Sequence, residues 1–380
     1  METRMHKEVA LGGRIFTPVF VGMATLVGLM VIALGFRFIL GLGAVSNMSD
    51  GYPWGIWIAY DVVVGSAFAC GGYVMALTVY VFNKGKYHPL VRPALLASMF
   101  GYTLAGASVM FDIGRYFHAY NLFLPWKINY TSVMLEVALC VTAYIIVLWI
   151  EFAPAITSKF KLEKLTKILE KTAFFFIAVG VTLPMMHQSS LGTMMIIAGE
   201  KLHPLWQTQM LPLFFLFSAL FMGFAMVVFE GSIVSKAYKL GDETTILSKM
   251  AKTAVIILSI FILLRVQNLL LNKQVANAFS FDTASITFLM EMLLMCTGLV
   301  MLAIKKFRTS PRYLFVGAVL ILLGSSLYRF NVYLIAYAPM IGDWSYFPSI
   351  GEQIVSYGLI AVEIAAYTFF VKYFAVFTKH

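Results

Sequence analysis

Four titratable side chains lie within or at the ends of long apolar segments. They are three carboxylates and one imidazole, each on a different segment: Asp61, Asp112, Glu136 and His187. Arg115 follows Asp112 by three residues, the spacing of neighbours on one helical face. Acids and a histidine beside lipid suit a small polar molecule that must gain or lose protons. We interpret these residues as a candidate proton-transfer site. The alternatives are a surface ion pair between Asp112 and Arg115 and a hydrogen-bonded interface histidine.

Two further residues extend this hypothesis across the chain's apolar segments. Glu230 is expected near the opposite end of its segment, and Tyr102 is expected at an intermediate depth. A relay from Glu230 through Tyr102 to Glu136 or His187 would carry protons to the site. Glu230 is equally consistent with a carboxylate that reaches the membrane surface from a helix end. Arg265, in mid-segment, requires a buried partner, either Glu291 or Glu363.

The elements that must position these residues are membrane-spanning helices. The 380 residues are 61% hydrophobic and 12% charged, with a mean hydropathy of +0.85, whereas soluble domains contain about 25% charged residues. A spanning helix needs about twenty apolar residues. The sequence predicts an all-α, polytopic membrane protein with ten such helices, at residues 17–41, 56–82, 91–113, 131–153, 172–186, 211–235, 248–271, 285–304, 313–329 and 350–373.

The basic residues predict the orientation of these helices. Twenty-one of the 28 Lys and Arg residues fall in the loops and ends on one side, and four fall on the other. Because positive charge accumulates on the cytoplasmic side, both termini are predicted to be cytoplasmic. The net charge of +10 therefore indicates topology and contact with membrane lipid, and it does not indicate nucleic-acid binding. The opposite loops are longer and aromatic, which suggests either membrane anchoring or a docking platform. Residues 189–198 are predicted to form a separate re-entrant or interfacial helix.

Histidine and cysteine placement limits the redox chemistry that the chain itself can perform. Among six histidines, His187 is the one expected at a span, so a haem held by two axial histidines does not fit. The three cysteines are isolated, which does not suit an iron–sulfur cluster, and the sequence predicts no metal site. We therefore expect that any electrons reach this chain from a partner.

Several motifs in the sequence resemble the NrfD/PsrC family of membrane subunits. They are YPWGIWIAYD at 52–61, FACGG at 68–72, NKGKYHPLVRPALLAS at 83–98, DIGRY at 112–116, LPMMHQSSLG at 183–192, HPLW at 203–206 and VFEGS at 228–232. The similarity extends over nearly the whole chain. Within the family, it is greatest to the membrane subunits of hydrogenase-2 type nickel–iron hydrogenases.

The resemblance implies a single integral membrane domain, residues 1–380, in the bacterial inner membrane. It implies two four-helix bundles, with helices 2–5 (about 56–187) at the quinone site, helices 6–9 (about 211–329) in the second bundle, and two flanking helices.

The implied activity is reduction of menaquinone or another quinone near the outer leaflet, without haem or iron–sulfur clusters in this chain. The implied partners are a periplasmic, ferredoxin-like iron–sulfur subunit and the large and small subunits of a nickel–iron hydrogenase. Matched motifs place Asp112, Arg115, Glu136, His187 and Gln188 around the quinone, with Asp61 nearby and Tyr102 and Glu230 on the proton route. A secondary transporter and a passive membrane anchor are the rival hypotheses.

Overall fold

A computed structural model gives the structure of the chain and describes residues 8–238, 241, 243–340 and 344–378. Ten helices in these ranges are long and apolar enough to cross a membrane. In chain order they are α1 (Pro18–Leu40), α2 (Trp57–Val81), α3 (Gly85–Asp112), α4 (Val133–Lys159), α5 (Glu163–Ile197), α6 (Leu211–Ala237), α7 (Thr244–Leu271), α8 (Thr283–Ala303), α9 (Pro311–Ile335) and α10 (Ile350–Tyr373). The prediction of an all-α, multi-pass membrane protein with ten spans is confirmed.

The two ends of the chain meet on the same side of the molecule. Strand β1 (Glu8–Val9) pairs with strand β2 (Phe377–Thr378) in an antiparallel ladder. Two ends on one side require an even number of crossings, which agrees with ten helices. The assignment of that side to the cytoplasm rests on the distribution of basic residues and stays a prediction.

The helices pack in two groups with a flanking pair. In the first group α2 contacts α3 and α5, while α4 packs between α3 and α5. In the second, α6 to α9 contact one another in sequence, and α9 returns to α6. Helix α6 also packs on α2 and α5, which joins the groups, and α1 and α10 pack together with α10 against α3.

Helix α2 is the most buried span and the least regular. It begins with a π-helical turn at Trp57–Val62, breaks around residues 63–70 and ends in a second π-helical turn at Leu77–Val81. A side chain on Gly72 would lie 2.7 Å from Ser98 Oγ, which accepts a hydrogen bond from the Gly72 N–H at 2.7 Å. Glycine therefore lets the backbones of α2 and α3 approach each other closely.

Helix α5 differs from the prediction at both ends. The structure continues it through residues 189–198, so the separate interfacial helix predicted there is wrong. The Ser189 and Ser190 hydroxyls donate to the Met186 carbonyl of the preceding turn, at 2.8 Å and 3.0 Å. These serines are satisfied inside the helix and do not interrupt it. The first turns, from Glu163, form an exposed extension that carries lysines.

A buried arginine in the second group of helices forms a hydrogen bond to the backbone of the first group. Arg329 on α9 has no exposed surface. Its guanidinium donates to the Val63 carbonyl of α2 at 2.7 Å, and to the Phe215 carbonyl and Ser218 Oγ of α6 at 2.7 Å and 3.0 Å. Val63 lies at the break in α2, where carbonyl groups lack regular helical partners. Arg329 thus connects the two groups of helices through a charged donor.

Candidate functional site

His187 lies fully buried in the first group of helices. Its Nδ1 is 2.9 Å from the Leu183 carbonyl oxygen, and its Nε2 is 2.9 Å from the Tyr102 hydroxyl. Because a carbonyl oxygen only accepts, Nδ1 carries the hydrogen and Nε2 of the neutral ring accepts from Tyr102. Both ring nitrogens are therefore engaged by protein groups.

Three more polar side chains complete this buried cluster. Gln188 Nε2 donates to Ser66 Oγ at 3.0 Å and to the Tyr102 hydroxyl at 3.2 Å. Cys70 Sγ lies 3.4 Å from the same hydroxyl. The amide oxygen of the same glutamine, Gln188 Oε1, is buried without a hydrogen-bond partner in the described part of the chain. We call Ser66, Cys70, Tyr102, His187 and Gln188 the His187 network.

The His187 network lies deeper than the sequence predicts. His187 is ten residues before the end of α5, and Tyr102 is ten before the end of α3, so both lie about 15 Å from those ends. Glu136 is in the first turn of α4, close to the outer boundary. His187 and Glu136 still lie within about one helical turn of the same level, because Glu136 contacts Ser190, one turn from His187. The difference from the prediction is that α5 continues for three turns beyond the boundary expected at His187.

Glu136 is exposed on the side of the first group. Its carboxylate accepts a hydrogen bond from Ser190 Oγ at 2.8 Å. Ser190 is three residues after His187, so it lies one turn above that ring on the same side of α5. The surface on this side is apolar, with Leu139, one turn after Glu136, 38% exposed and Met186, one turn before Ser190, 47% exposed. An exposed acid at an apolar lateral surface therefore lies one helical turn from the buried network.

Asp112 ends α3 in a different environment. Its Oδ1 is buried without a hydrogen-bond partner among the described residues, while the carboxylate accepts the N–H of Gly55. The Arg37 guanidinium lies nearby, where it donates to the Phe111 carbonyl at 2.7 Å and the Ile113 carbonyl at 2.5 Å. Arg37 on α1 thus supplies the positive charge near this carboxylate.

Arg115 does not share a helical face with Asp112, and this expectation is wrong. Helix α3 ends at Asp112 because Ile113 adopts an extended conformation, with φ −67° and ψ 117°. Arg115 lies beyond the helix end and is exposed. The i, i+3 spacing carries no contact once the helix has ended.

Asp61 is buried at the contact between α2 and α10. Its Oδ2 accepts a hydrogen bond from Ser356 Oγ at 2.7 Å. It is in the π-helical turn that opens α2, and the structure gives it no contact with the His187 network. Asp61 and His187 thus belong to separate polar clusters.

Glu230 accepts a hydrogen bond from the Tyr367 hydroxyl of α10. The expected relay needs a step from Glu230 to Tyr102, but the structure gives no hydrogen bond between them in the described ranges. Tyr102 is instead committed to His187 and Gln188. The hydrogen bond of Glu230 therefore connects it to α10 and not to Tyr102.

The sequence analysis did not identify Glu352, which forms hydrogen bonds to the loops before α2 and before α10. Its carboxylate accepts the N–H groups of Asn47 and Ser349, both at 2.9 Å, and the Tyr346 hydroxyl at 2.6 Å. Burial and the Glu352 carboxylate raise the pKa of Tyr346 above its usual range. The pattern Ser349-x-x-Glu352 before an apolar run is a helix capping box and could have identified this pair.

Arg265 pairs with Glu291 in the second group of helices. The guanidinium is 3.2 Å from Glu291 Oε1, and both residues are buried. Trp206 Nε1 and Asn331 Nδ2 donate to the same carboxylate at 3.2 Å and 2.8 Å. Of the two partners predicted for Arg265, Glu291 is the one present.

A cavity of about 570 Å³ lies apart from these residues. It opens at the loop between α5 and α6, against the end of α7, and Gln207, Asn268 and Asn272 line it. It contains none of the predicted site residues. Within the described ranges, no group of three or more His, Cys, Asp or Glu side chains could hold a metal ion.

Comparison with known proteins relates this arrangement to a family. The family model described as polysulphide reductase, NrfD, matches residues 44–340. The chain is 43% identical to the probable Ni/Fe-hydrogenase 2 b-type cytochrome subunit of Escherichia coli, over 97% of this chain and 94% of that protein. The similarity therefore includes both groups of helices and the flanking pair.

Two relatives match over shorter regions. The integral membrane subunit of menaquinone reductase from Nitratidesulfovibrio vulgaris is 31% identical over 40% of this chain and 37% of its own length. A selenate reductase subunit from Mesobacillus selenatarsenatis is 24% identical over 63% of this chain and 62% of its own length. Since the family model covers most of the chain and the E. coli protein matches nearly all of it, the chain belongs to the NrfD family of membrane subunits of redox complexes.

Proposed function

We propose that this chain is the quinone-reactive membrane subunit of a hydrogenase complex. It passes electrons from an iron–sulfur partner to menaquinone or another quinone near the outer leaflet of the bacterial inner membrane. Protons reach the quinone through buried acids, and uptake from the cytoplasm would couple turnover to the proton motive force. The names of the E. coli and N. vulgaris relatives support the hydrogenase and the quinone parts of this proposal respectively.

The observation that carries the proposal is the position of Glu136. Its carboxylate is exposed between α4 and α5 on an apolar surface, and Ser190 connects it to the turn above His187. A quinone has a polar ring and a long apolar tail. The tail can therefore remain in lipid while the ring meets the carboxylate.

Reduction of a quinone to its quinol takes up two electrons and two protons. The protein side chains supply or pass the protons, and an electron-carrying partner supplies the electrons. We propose protonation or hydrogen bonding at the quinone oxygens by Glu136 and His187. Further quinone contacts are assigned to Asp61, Asp112, Arg115 and Gln188, and the proton route to Tyr102, Glu136 and Glu230.

We propose that the chain acts without haem, although the E. coli relative is named a b-type cytochrome subunit. Both ring nitrogens of His187 are engaged, Nδ1 by the Leu183 carbonyl and Nε2 by Tyr102. Of the other histidines in the described ranges, His118 and His203 lie in loops, and His88 lies in the first turn of α3. This arrangement does not suit axial ligation from two facing histidines.

The outer loops fit a docking surface for the electron-carrying partner. The loop between α3 and α4 presents exposed aromatic side chains, including Phe117, Tyr120 and Trp126 at 60%, 58% and 75% exposure. Aromatic residues are enriched in protein interfaces. We propose that a periplasmic, ferredoxin-like iron–sulfur subunit binds here and links the chain to the large and small subunits of a nickel–iron hydrogenase.

The experiment is purification of the intact complex, followed by its pigment spectrum, quinone extraction and H2-driven quinone reduction in liposomes that contain a pH probe. We expect bound quinone, no haem absorbance and alkalinisation on the cytoplasmic side. Haem absorbance would contradict the histidine argument.

The rival functions predict other results. A passive anchor predicts unchanged quinone reduction in a fully assembled Glu136→Gln complex. A secondary transporter predicts solute-dependent proton movement without H2. The first result would remove the protonation role of Glu136, and the second would remove the proposed function.

A further inference from the structure

Helix α10 carries a stripe of polar side chains across an otherwise apolar span. Glu352, Ser356, Glu363 and Tyr367 are separated by four, seven and four residues. At about 100° per residue, these positions lie within roughly 60° of one another on the helix surface. This side of α10 faces the first group of helices, since α10 packs on α3 and on the opening turn of α2. A polar stripe that faces protein has partners on other helices.

Glu363 is the member of the stripe in the middle of the membrane. It is thirteen residues from the start of α10 and ten from its end, about 20 Å and 15 Å along the axis. Arg265, for which Glu363 was one of two predicted partners, pairs with Glu291 instead. In the described part of the chain the Glu363 carboxylate forms no ion pair. A charged carboxylate without a partner is costly at this depth, so Glu363 is expected to hold its proton.

The surroundings of Glu363 connect it to helix α3 and to the start of α2. A side chain on Gly101 would lie 3.3 Å from Glu363 Oε1, so the carboxyl group rests against α3 where glycine leaves room. The Tyr60 hydroxyl interacts electrostatically with both Glu363 and Asp61. Tyr60 directly precedes Asp61 in the opening turn of α2, and it is the hydroxyl of this turn whose electrostatic interaction extends to Glu363.

The inner end of the stripe borders a small cavity. The Tyr367 hydroxyl donates to Glu230, and both residues line a cavity of about 20 Å³ together with Glu243. A cavity of this volume has room for about one water molecule. Most of its lining is apolar, and the Glu230, Glu243 and Tyr367 side chains are the polar groups that such a water could bind. Glu230 is seven residues before the end of α6, about 10 Å from that boundary.

We infer that these side chains form a proton-conducting row along α10, which reaches Asp61 without passing through the His187 network. The row runs from the inner side to the outer side through Glu230, Tyr367, Glu363, Tyr60 and Ser356 to Asp61. Carboxyl and hydroxyl groups can each donate and accept a proton, as each member must. This inference rests on the proposed function, since the row ends at a residue assigned there to the quinone.

The proton and electron balance follows from the quinone reaction. Two electrons come from the iron–sulfur partner, and two protons convert the quinone to its quinol. Each shift along the row breaks one O–H bond on the donor and forms one on the acceptor. The donor is then protonated again by its inner neighbour, so that the net uptake is from the inner side.

The test uses the intact complex in liposomes, with H2 as reductant, a menaquinone analogue as acceptor and dyes for internal pH and membrane potential. Glu363→Gln preserves the shape of the side chain and removes the exchangeable proton. We expect the charge moved per electron to fall, with proton uptake slower by roughly tenfold or more. Tyr367→Phe should have the same effect, and it serves as the test variant if the Glu363→Gln complex does not assemble. Tyr373→Phe, at the partly exposed inner end of α10, is the matched control and should behave as wild type.

A second measurement separates proton transfer from a structural role. The infrared difference spectrum of quinone reduction should lose a protonated-carboxyl band in Glu363→Gln, and Glu363→Asp should restore that band and proton uptake.

Three results would overturn the inference. Wild-type proton uptake in assembled Glu363→Gln and Tyr367→Phe would overturn the row and leave the proposed function intact. Quinone reduction by the wild-type complex without vectorial proton uptake would overturn the row together with the proposed proton uptake from the cytoplasm, and would leave the quinone-reducing role intact. The absence of quinone reduction by the wild-type complex would overturn both.

Discussion

The Tyr102 hydroxyl donates a 2.9 Å hydrogen bond to Nε2 of His187, and both side chains are completely buried. The two residues come from different helices, α3 and α5, and their rings meet edge to face at 5.3 Å. Because Nδ1 of the same imidazole is held by Leu183, this one hydroxyl determines what Nε2 can do. The site thus depends on a contact between helices as much as on the histidine itself.

Tyr102→Phe should impair this contact. Removal of the hydroxyl leaves Nε2 of His187 without its principal donor, which costs about 1–3 kcal/mol in a buried site. We expect a lower unfolding temperature and a roughly tenfold slower quinone reduction, measured on the purified complex. Tyr73→Phe is the control, because the Tyr73 hydroxyl is buried without a partner in the described ranges. Equal losses in the two variants would contradict the role of Tyr102.

Glu136→Gln should affect activity and leave stability unchanged. The carboxylate is exposed, and glutamine can still accept the hydrogen bond from Ser190. Since only the exchangeable proton is lost, we expect kcat for quinone reduction to fall by roughly tenfold or more, with little change in the unfolding temperature. Glu163→Gln, an exposed acid at the opposite end of the first group, is the matched control. A large loss of stability in Glu136→Gln would argue for a structural role.

Glu291→Gln should destabilise the second group of helices. It leaves the Arg265 charge buried without its counter-ion, a change that costs about 3–5 kcal/mol. Replacement of both partners, as Arg265→Met with Glu291→Leu, should recover most of that stability because no buried charge remains. Thermal unfolding of both single variants and the double variant measures the coupling. Additive losses would show that the pair contributes nothing beyond its separate residues.

Asp282 should make the stability of the outer loop before α8 depend on pH. Hydrogen bonds from the Ser285 N–H at 2.7 Å and Ser280 Oγ at 2.9 Å hold the pKa of Asp282 below its usual value of 3.8. A lowered pKa gives stability that is present above the unfolded value and is lost as pH falls through the folded one. Asp282→Asn retains an N-cap without a titrating group. The loss of stability between pH 6 and pH 3 should therefore be smaller in Asp282→Asn than in the wild type. Thermal unfolding of the complex measures this loss, and an equal loss in both proteins would refute the role of Asp282.

The sequence predicted the ten spans well because composition alone determines whether a segment can cross lipid. It also selected His187 and Tyr102, which the structure brings together in one network with Gln188, the residue that the family resemblance added. Each is a polar residue in an apolar segment, and such residues need partners there. Their types and positions were therefore informative even without knowledge of which helices meet.

The depth of each residue in the membrane and the rotation of each helix about its axis could not be predicted in the same way. The placement of His187 was too shallow, because Ser189 and Ser190 suggested a break where their hydroxyls are satisfied within α5. Arg265 could have paired with Glu291 or Glu363, since spans that are apolar on several sides give no periodic signal of which face turns inward. The i, i+3 pairing of Asp112 with Arg115 failed because Arg115 lies beyond the end of α3, which the sequence itself placed at residue 113.

Arg329 has a mechanical consequence for the whole subunit. Its guanidinium belongs to α9, yet it donates a hydrogen bond to the Val63 carbonyl of α2. If one half of the molecule rocked against the other, this bond would break and leave one N–H group of the buried guanidinium without its acceptor, where no water replaces it. The bond therefore opposes movement of one half against the other. Such a subunit is suited to hold a fixed path for protons, and it is poorly suited to the alternating opening of a carrier.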